Sequence, residues 1–261
     1  MNSLYKALCL NTAISIFIFA VLFLLLWLAE SLFPSFTLLK WHDAAWCVGI
    51  PASVIGVAYV LTVRDPENYT GFYPGILMSL LLSLQFGLQG NYDLTLLYIC
   101  IFVPFQIKSI LQWRKPATNR QTTPDPASQT NSAYSPEFLS LKQMLLSLLV
   151  FILIVIADWL LVTYAFNRDA LFDSWLLKLL GALMIASSIH ANFWLIYRKT
   201  DAWLYWVLYS LSGMFFYIVV GNAFSIVLFF VFLVINSMAG IAWIHGTPRE
   251  NFGWLKVFSR C

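Results

Sequence analysis

Residues 198–243 read RKTDAWLYWVLYSLSGMFFYIVVGNAFSIVLFFVFLVINSMAGIAW, two apolar runs joined at Gly221-Asn222, and a weaker copy lies about half a chain earlier. Upstream of Arg198 stands ASSIHANFWLIYR from Ala186, and upstream of Arg64 stands ASVIGVAYVLTVR from Ala52. Ala, Ser, Ile and Arg match at an offset of 134. Gly90-Asn91 answers Gly221-Asn222 at 131, and Trp113 answers Trp243 at 130. Seven residues before each Trp is a carboxamide, Gln106 or Asn236. Chance supplies any one such match, but an ordered series with only small drift argues for two copies of one unit of roughly 60 residues.

Composition fixes the setting of that unit. The 261 residues are 61% hydrophobic, 17% aromatic and 10% charged, with mean hydropathy +0.79. A soluble domain is nearer half apolar and a quarter charged, so the chain is read as an integral membrane protein. A net charge of +3 is too small for a nucleic-acid partner. Cys9, Cys47, Cys100 and Cys261 show neither metal spacing nor a disulfide framework and are read as apolar filler. No cofactor is implied.

Apolar runs fall at about residues 11–32, 44–63, 70–89, 93–113, 144–166, 175–197, 202–220 and 223–244, each long enough for a core of roughly 30 Å. The first follows Lys6, yet it is longer than a signal peptide's usual apolar stretch and no A-x-A site follows, so a retained helix is expected. The segment after Trp113 is rich in Pro, Ser, Thr and Asn and cannot bury enough apolar surface to order itself. The expected fold is all-α with about eight transmembrane helices arranged 1+3+1+3. That divides one transporter domain into an extra N-terminal helix (1–40), repeat one (44–113), a linker (114–140), an inter-repeat helix (141–167), repeat two (174–245) and a tail (246–261). Twelve Lys and Arg fall on one side and only Lys40, Arg168 and Lys178 on the other, which places both termini and the linker in the cytoplasm. The odd number of crossings per repeat, corrected by the helix between them, makes the repeats parallel. Such an arrangement sets a substrate path between the two three-helix bundles, with rocking for alternating access.

The same segments resemble the PnuC family of bacterial vitamin transporters. Residues 198–243 look like its final two helices, with the WxxW pair at Trp203 and Trp206. NYTGFYPGILMSLLLSLQFGLQGNYDLTLLYICIFVPFQIKSILQW, from Asn68 to Trp113, resembles the matching part of the first repeat, including the Pro-x-Gln of Pro104 and Gln106. The resemblance implies a fold like that of the SWEET sugar transporters and facilitated diffusion of nicotinamide riboside or a related unphosphorylated vitamin or nucleoside, trapped by a separate cytoplasmic kinase. The chain departs from the family pattern at Asp201-Ala202-Trp203, where E-N-W is usual. It departs again at Ser210, where Asp or Asn is common, and at Tyr98, where Asn is common. Thiamine, riboflavin and deoxynucleosides therefore stay open as substrates, as does proton coupling.

Candidate site residues also follow from chemistry. A flat heteroaromatic ring is held by aromatic faces, Trp offering the largest, and a cationic ring gains a cation–π term. Trp203 and Trp206 lie three apart on one helical face that Ser210 continues. An interfacial aromatic belt is the other reading, for Trp203 above all. Hydroxyl and amide groups of a substrate need neutral donors and acceptors, for which Gln85, Gln106 and Asn236 are placed; buried amides also serve to join helices. Pro104 interrupts the fourth run as a kink and hinge candidate. Gly213 and Gly240 suit close helix contact. Asp158 and His190 are intramembrane ionisable groups, each read as a structural hydrogen-bonding group, with Asp158 placed away from the path. The three histidines, His42, His190 and His245, stand apart, and no HExxH or GxSxG motif occurs, so the chain is not read as an enzyme. The partners expected are the small-molecule substrate and the lipid bilayer of the bacterial inner membrane. A homo-oligomer remains open.

Overall fold

Within hydrocarbon every backbone N–H and C=O must be satisfied inside its own segment, and apolar runs of this length meet that demand as helices. The computed structural model describes residues 2–32, 43–89, 92–114, 136–164 and 174–247. In order they form α1 (Asn2–Leu32), α2 (Ala44–Val63), a 3-10 turn (Tyr69–Gly71) leading into α3 (Phe72–Leu88), α4 (Tyr92–Leu97), a π-helical segment (Tyr98–Phe102), α5 (Val103–Trp113), α6 (Leu141–Tyr164), α7 (Trp175–Ile196), α8 (Ala202–Val220) and α9 (Ala223–Gly246). Counting α4, the π segment and α5 as one span, eight helices among the described residues are long and apolar enough to cross a membrane. Lys40, His42, Gly90-Asn91, most of the linker, Arg168 and the tail beyond Thr247 lie outside the described residues.

Short polar side chains set where helices begin. Asp43 accepts from the Ala45 and Trp46 N–H groups at 2.9 and 3.3 Å, Ser174 from Leu177 at 3.2 Å, and Asn222 from Ser225 at 3.1 Å. Gly221, at φ 75°, ends α8 in the left-handed conformation that spares glycine any Cβ clash. α1 begins about nine residues before the apolar run, taking in Lys6, whose long side chain can carry its charge toward the interface from a mostly apolar turn. The fourth span is interrupted by the π-helical segment. Pro104 offers no N–H and its ring crowds the carbonyl one turn back. The helix widens there, and the Val103 N–H reaches back to the Tyr98 carbonyl.

α2, α3 and α5 pack as one group, and α7, α8 and α9 as another. The contacts between groups are reciprocal: α2 lies against α9, and α5 against α7. Outside them α1 packs on α2 and α6 on α7. Asn11 Nδ2 donates to Thr62 Oγ1 at 3.2 Å and Ser15 to the Val54 carbonyl, holding α1 in place. α6 is held by Ser147, whose Oγ accepts from Trp194 Nε1 and hydrogen-bonds Tyr205 OH, both at 2.8 Å. Gly213 and Gly240 permit close approach as expected: a Cβ on Gly213 would stand 2.0 Å from the Phe229 ring, and one on Gly240 3.1 Å from Trp203 Cβ. Arg64, Arg114, Lys142, Arg198 and Lys199 gather at one end of the bundle, called here the basic end, and Lys178 stands at the other.

Candidate functional site

A cavity of about 600 Å³ lies between the two groups, with one wall from α6. Its lining includes Asp43, Gln89, Lys178 and Asn222, all at helix ends away from the basic end, so the cavity reaches that end of the described helices. At its inner end it is lined by Tyr59, Gln106, Asn192 and Trp206. These four lie only four to seven residues from the basic ends of their helices, on the order of 6–10 Å by helical rise. The cavity therefore crosses most of the bundle.

The floor is joined by one side chain. Gln106 Nε2 donates to Asn192 Oδ1 at 2.9 Å and, more weakly, to Tyr59 OH at 3.4 Å, so it bridges the first group to the second. Asn192 in turn donates to the Ser188 carbonyl at 2.9 Å, which fixes its oxygen toward Gln106. Gln106 is 1% exposed, and its Oε1 has no hydrogen-bond partner. Room for that oxygen comes from Gly75, where a Cβ would stand 2.8 Å from it. A buried unmet acceptor costs roughly 1–3 kcal/mol, so this floor gains from a ligand that donates a hydrogen bond.

Trp206 stands beside the carboxamides, with Tyr59 and Tyr209 edge-on to it at ring-centroid distances of 6.5 and 5.5 Å. Its backbone turn is tied from behind: Asn236 Nδ2 donates to Ser210 Oγ at 2.9 Å and to the Trp206 carbonyl at 3.3 Å, while Ser210 donates to that carbonyl at 2.9 Å. Ser210 and Asn236 are thus placed behind the floor, outside the cavity lining. Gln85 lies in the upper wall against Gly49, whose missing Cβ would stand 2.8 Å from its amide. Trp203 is also outside the lining. Being three residues nearer the basic end than Trp206, it falls below the floor, where Gly240 lets it pack on Trp243 at 5.6 Å. At 2% exposed it is no interfacial belt residue either. Pro104, following the π segment, faces outward and is absent from the lining.

Asp158 reverses the expected placement: it stands in the cavity wall. α6 packs on α7 and contributes one face to the cavity, which helix order alone does not show. His190 sits away from the cavity, between Phe151 and Tyr205, with ring nitrogens 2.9 Å from the Ala186 carbonyl and 3.1 Å from that of Ser147. Tyr59 and Asn192 are the floor residues that sequence reasoning missed. Both sit within the two segments matched at an offset of 134, and Asn192 is a carboxamide in an apolar run like Gln106.

Below the floor the basic end is closed. Trp113 and Trp243 meet at 6.1 Å, with Phe72 edge-on to Trp113 at 4.8 Å. Trp113 Nε1 donates to the carbonyls of Leu195 and Ile196 at 3.1 and 3.2 Å, and Trp243 Nε1 donates to that of Arg64 at 2.6 Å. Each closing Trp thus hydrogen-bonds the basic end of the opposite group's first helix.

The model of a family described as "Nicotinamide mononucleotide transporter" matches residues 46–245. A solved structure titled "Crystal structure of the Vitamin B3 transporter PnuC" is similar, with a TM-score of 0.58 and 15% identity, over 94% of this chain and 92% of that one. At that identity the likeness is one of fold. Among curated proteins no sequence matches significantly.

Proposed function

Because this chain belongs to the nicotinamide mononucleotide transporter family, we propose that it imports nicotinamide riboside, or a closely related unphosphorylated vitamin or nucleoside, by facilitated diffusion. The observation that carries the substrate class is the chemistry of the cavity. Its floor is aromatic, hydroxyl and carboxamide, while the charged side chains among its described lining residues, Asp43, Asp158 and Lys178, lie in the outer wall and mouth. A phosphate driven to that floor would lose its water with no cation to replace it, which costs more than neutral hydrogen bonds return. A riboside carries only hydroxyls, a carboxamide and a cationic ring. The ring suits Trp206 and Tyr59, with a cation–π term of about 0.5–2 kcal/mol, and the polar half suits Gln106, Asn192 and, higher up, Gln85. Ser210 and Asn236 act by positioning Trp206.

The basic end is read as cytoplasmic by the bias of Lys and Arg, in a bacterial inner membrane, so the cavity faces outward here. Parallel three-helix repeats then rock to open the other end, with the π segment before Pro104 as the compliant point of the fourth span. Phosphorylation by a cytoplasmic kinase would keep the released product inside. Asp158 in the wall supports one variant of this reading, in which a proton accompanies the substrate.

Binding to the purified protein tests the class. Nicotinamide riboside is expected to bind at least about tenfold tighter than nicotinamide mononucleotide, thiamine, riboflavin or thymidine. Equal or tighter binding of the mononucleotide would remove the argument from floor chemistry.

A further inference from the structure

We infer that Arg198 is the latch of the closed basic end, and that the cavity opens there only when its guanidinium lets go. The inference rests on the transporter reading above but not on the substrate. Arg198 stands in the turn between α7 and α8, in the second group. Nε donates to the Pro66 carbonyl at 3.1 Å, in the loop after α2, and Nη2 donates to the Trp113 carbonyl at 3.2 Å, at the end of α5. The guanidinium carbon lies 4.6 Å over the Trp113 ring. One side chain of the second group thus grips two elements of the first through charge-assisted hydrogen bonds and a cation–π contact. Its planar fork matches this task, since separate N–H groups point at separate carbonyls.

The backbone beneath the latch is held in a costly shape. Arg198 has φ 53°, and among the described residues it is the non-glycine with positive φ. The short segment before α6 keeps it there. Glu137 N–H donates to the Arg198 carbonyl at 3.4 Å, Thr200 N–H to the Glu137 carbonyl at 2.9 Å, and Lys199 pairs with the Glu137 carboxylate at 2.8 Å. Asp201 accepts from the Leu139 N–H at 2.7 Å. These bonds lie on the second group's side of the seam and can survive its opening, whereas those of the Arg198 guanidinium cross it and cannot. Contacts made in one state only set the balance between states.

The duplication supplies its own control. Arg64 occupies the matching position in the first group, 134 residues earlier, yet its side chain is exposed and its backbone is ordinary at φ −55°.

The test uses the full chain in lipid nanodiscs without substrate, with native cysteines replaced by Ser and spin labels at Glu67→Cys and Lys142→Cys, both exposed at the basic end on opposite sides of the seam. Pulsed electron–electron distance measurements report closed and open populations. Arg198→Ala should raise the open-to-closed ratio by about tenfold or more, while Arg64→Ala leaves it within twofold. Arg198→Lys, which keeps the charge but not the fork, should fall between. An unchanged distribution in Arg198→Ala, or equal shifts in both Ala variants, overturns the latch. If Arg198→Ala does not fold, Arg198→Lys against Arg64→Lys decides: an increase specific to Arg198→Lys supports it, and none overturns it. A wrong substrate leaves this readout untouched.

Discussion

Gln106→Met separates binding from stability at the cavity floor. Methionine has nearly the length of glutamine and can lie against Gly75 as the carboxamide does, but it neither donates to Asn192 nor accepts from a ligand. In the substrate-free protein two effects oppose each other. Losing the 2.9 Å bond leaves Asn192 Oδ1 unmet, at about 1–3 kcal/mol, while removing the already unmet Gln106 Oε1 relieves a cost of the same size. The 3.4 Å contact to Tyr59 adds little. Net stability should move by no more than about 1 kcal/mol, and the unfolding temperature by a few degrees. In the complex the relief is absent, because a substrate donor already satisfies Oε1, so the variant loses about 1–3 kcal/mol of binding, a weakening of roughly 5- to 150-fold. Titration calorimetry with nicotinamide riboside and differential scanning fluorimetry on the same preparation read the two quantities. A Kd within twofold of wild type, in folded protein, would refute the assignment of Oε1 to the substrate.

Trp206→Ala should abolish uptake while the protein still reaches the membrane folded, and unchanged uptake would remove Trp206 from the site. Gly213→Ala forces a Cβ to within 2.0 Å of Phe229, which lines the cavity; stability should fall by about 1–3 kcal/mol, with weaker substrate binding measured alongside. Ser147→Ala deprives Trp194 Nε1 and Tyr205 OH of their shared partner and should destabilise the α6–α7–α8 contact by about 1–3 kcal/mol. Its Kd should not change, since Ser147 and His190 are outside the lining.

The equivalence of Trp113 and Trp243 was legible because a duplicated unit repeats its spacing, but their contact and their reciprocal hydrogen bonds were not, since spacing alone does not say which helices meet. Gln106 was legible because an uncharged amide in an apolar run needs a partner. Asn192 meets the same criterion, but no carboxamide stands at the matching position of the first repeat, Ala58, so the duplication does not single it out. Trp203 shows the limit of a shared helical face: one turn along the helix separates the cavity from the packed end below it. Asp158 shows another limit, since hydropathy gives the depth of a residue but not which neighbour its helix turns toward. Pro104 signals an interruption in sequence. Whether the helix answers with a sharp kink or a π segment depends on the packing around it.

The most direct test of the account is uptake into proteoliposomes containing this protein alone, with labelled nicotinamide riboside and nicotinamide mononucleotide, with and without an imposed proton gradient. The account predicts saturable entry of the riboside that needs no gradient, with the mononucleotide excluded. Absence of riboside uptake by protein verified as folded, or mononucleotide entry at a comparable rate, would contradict it.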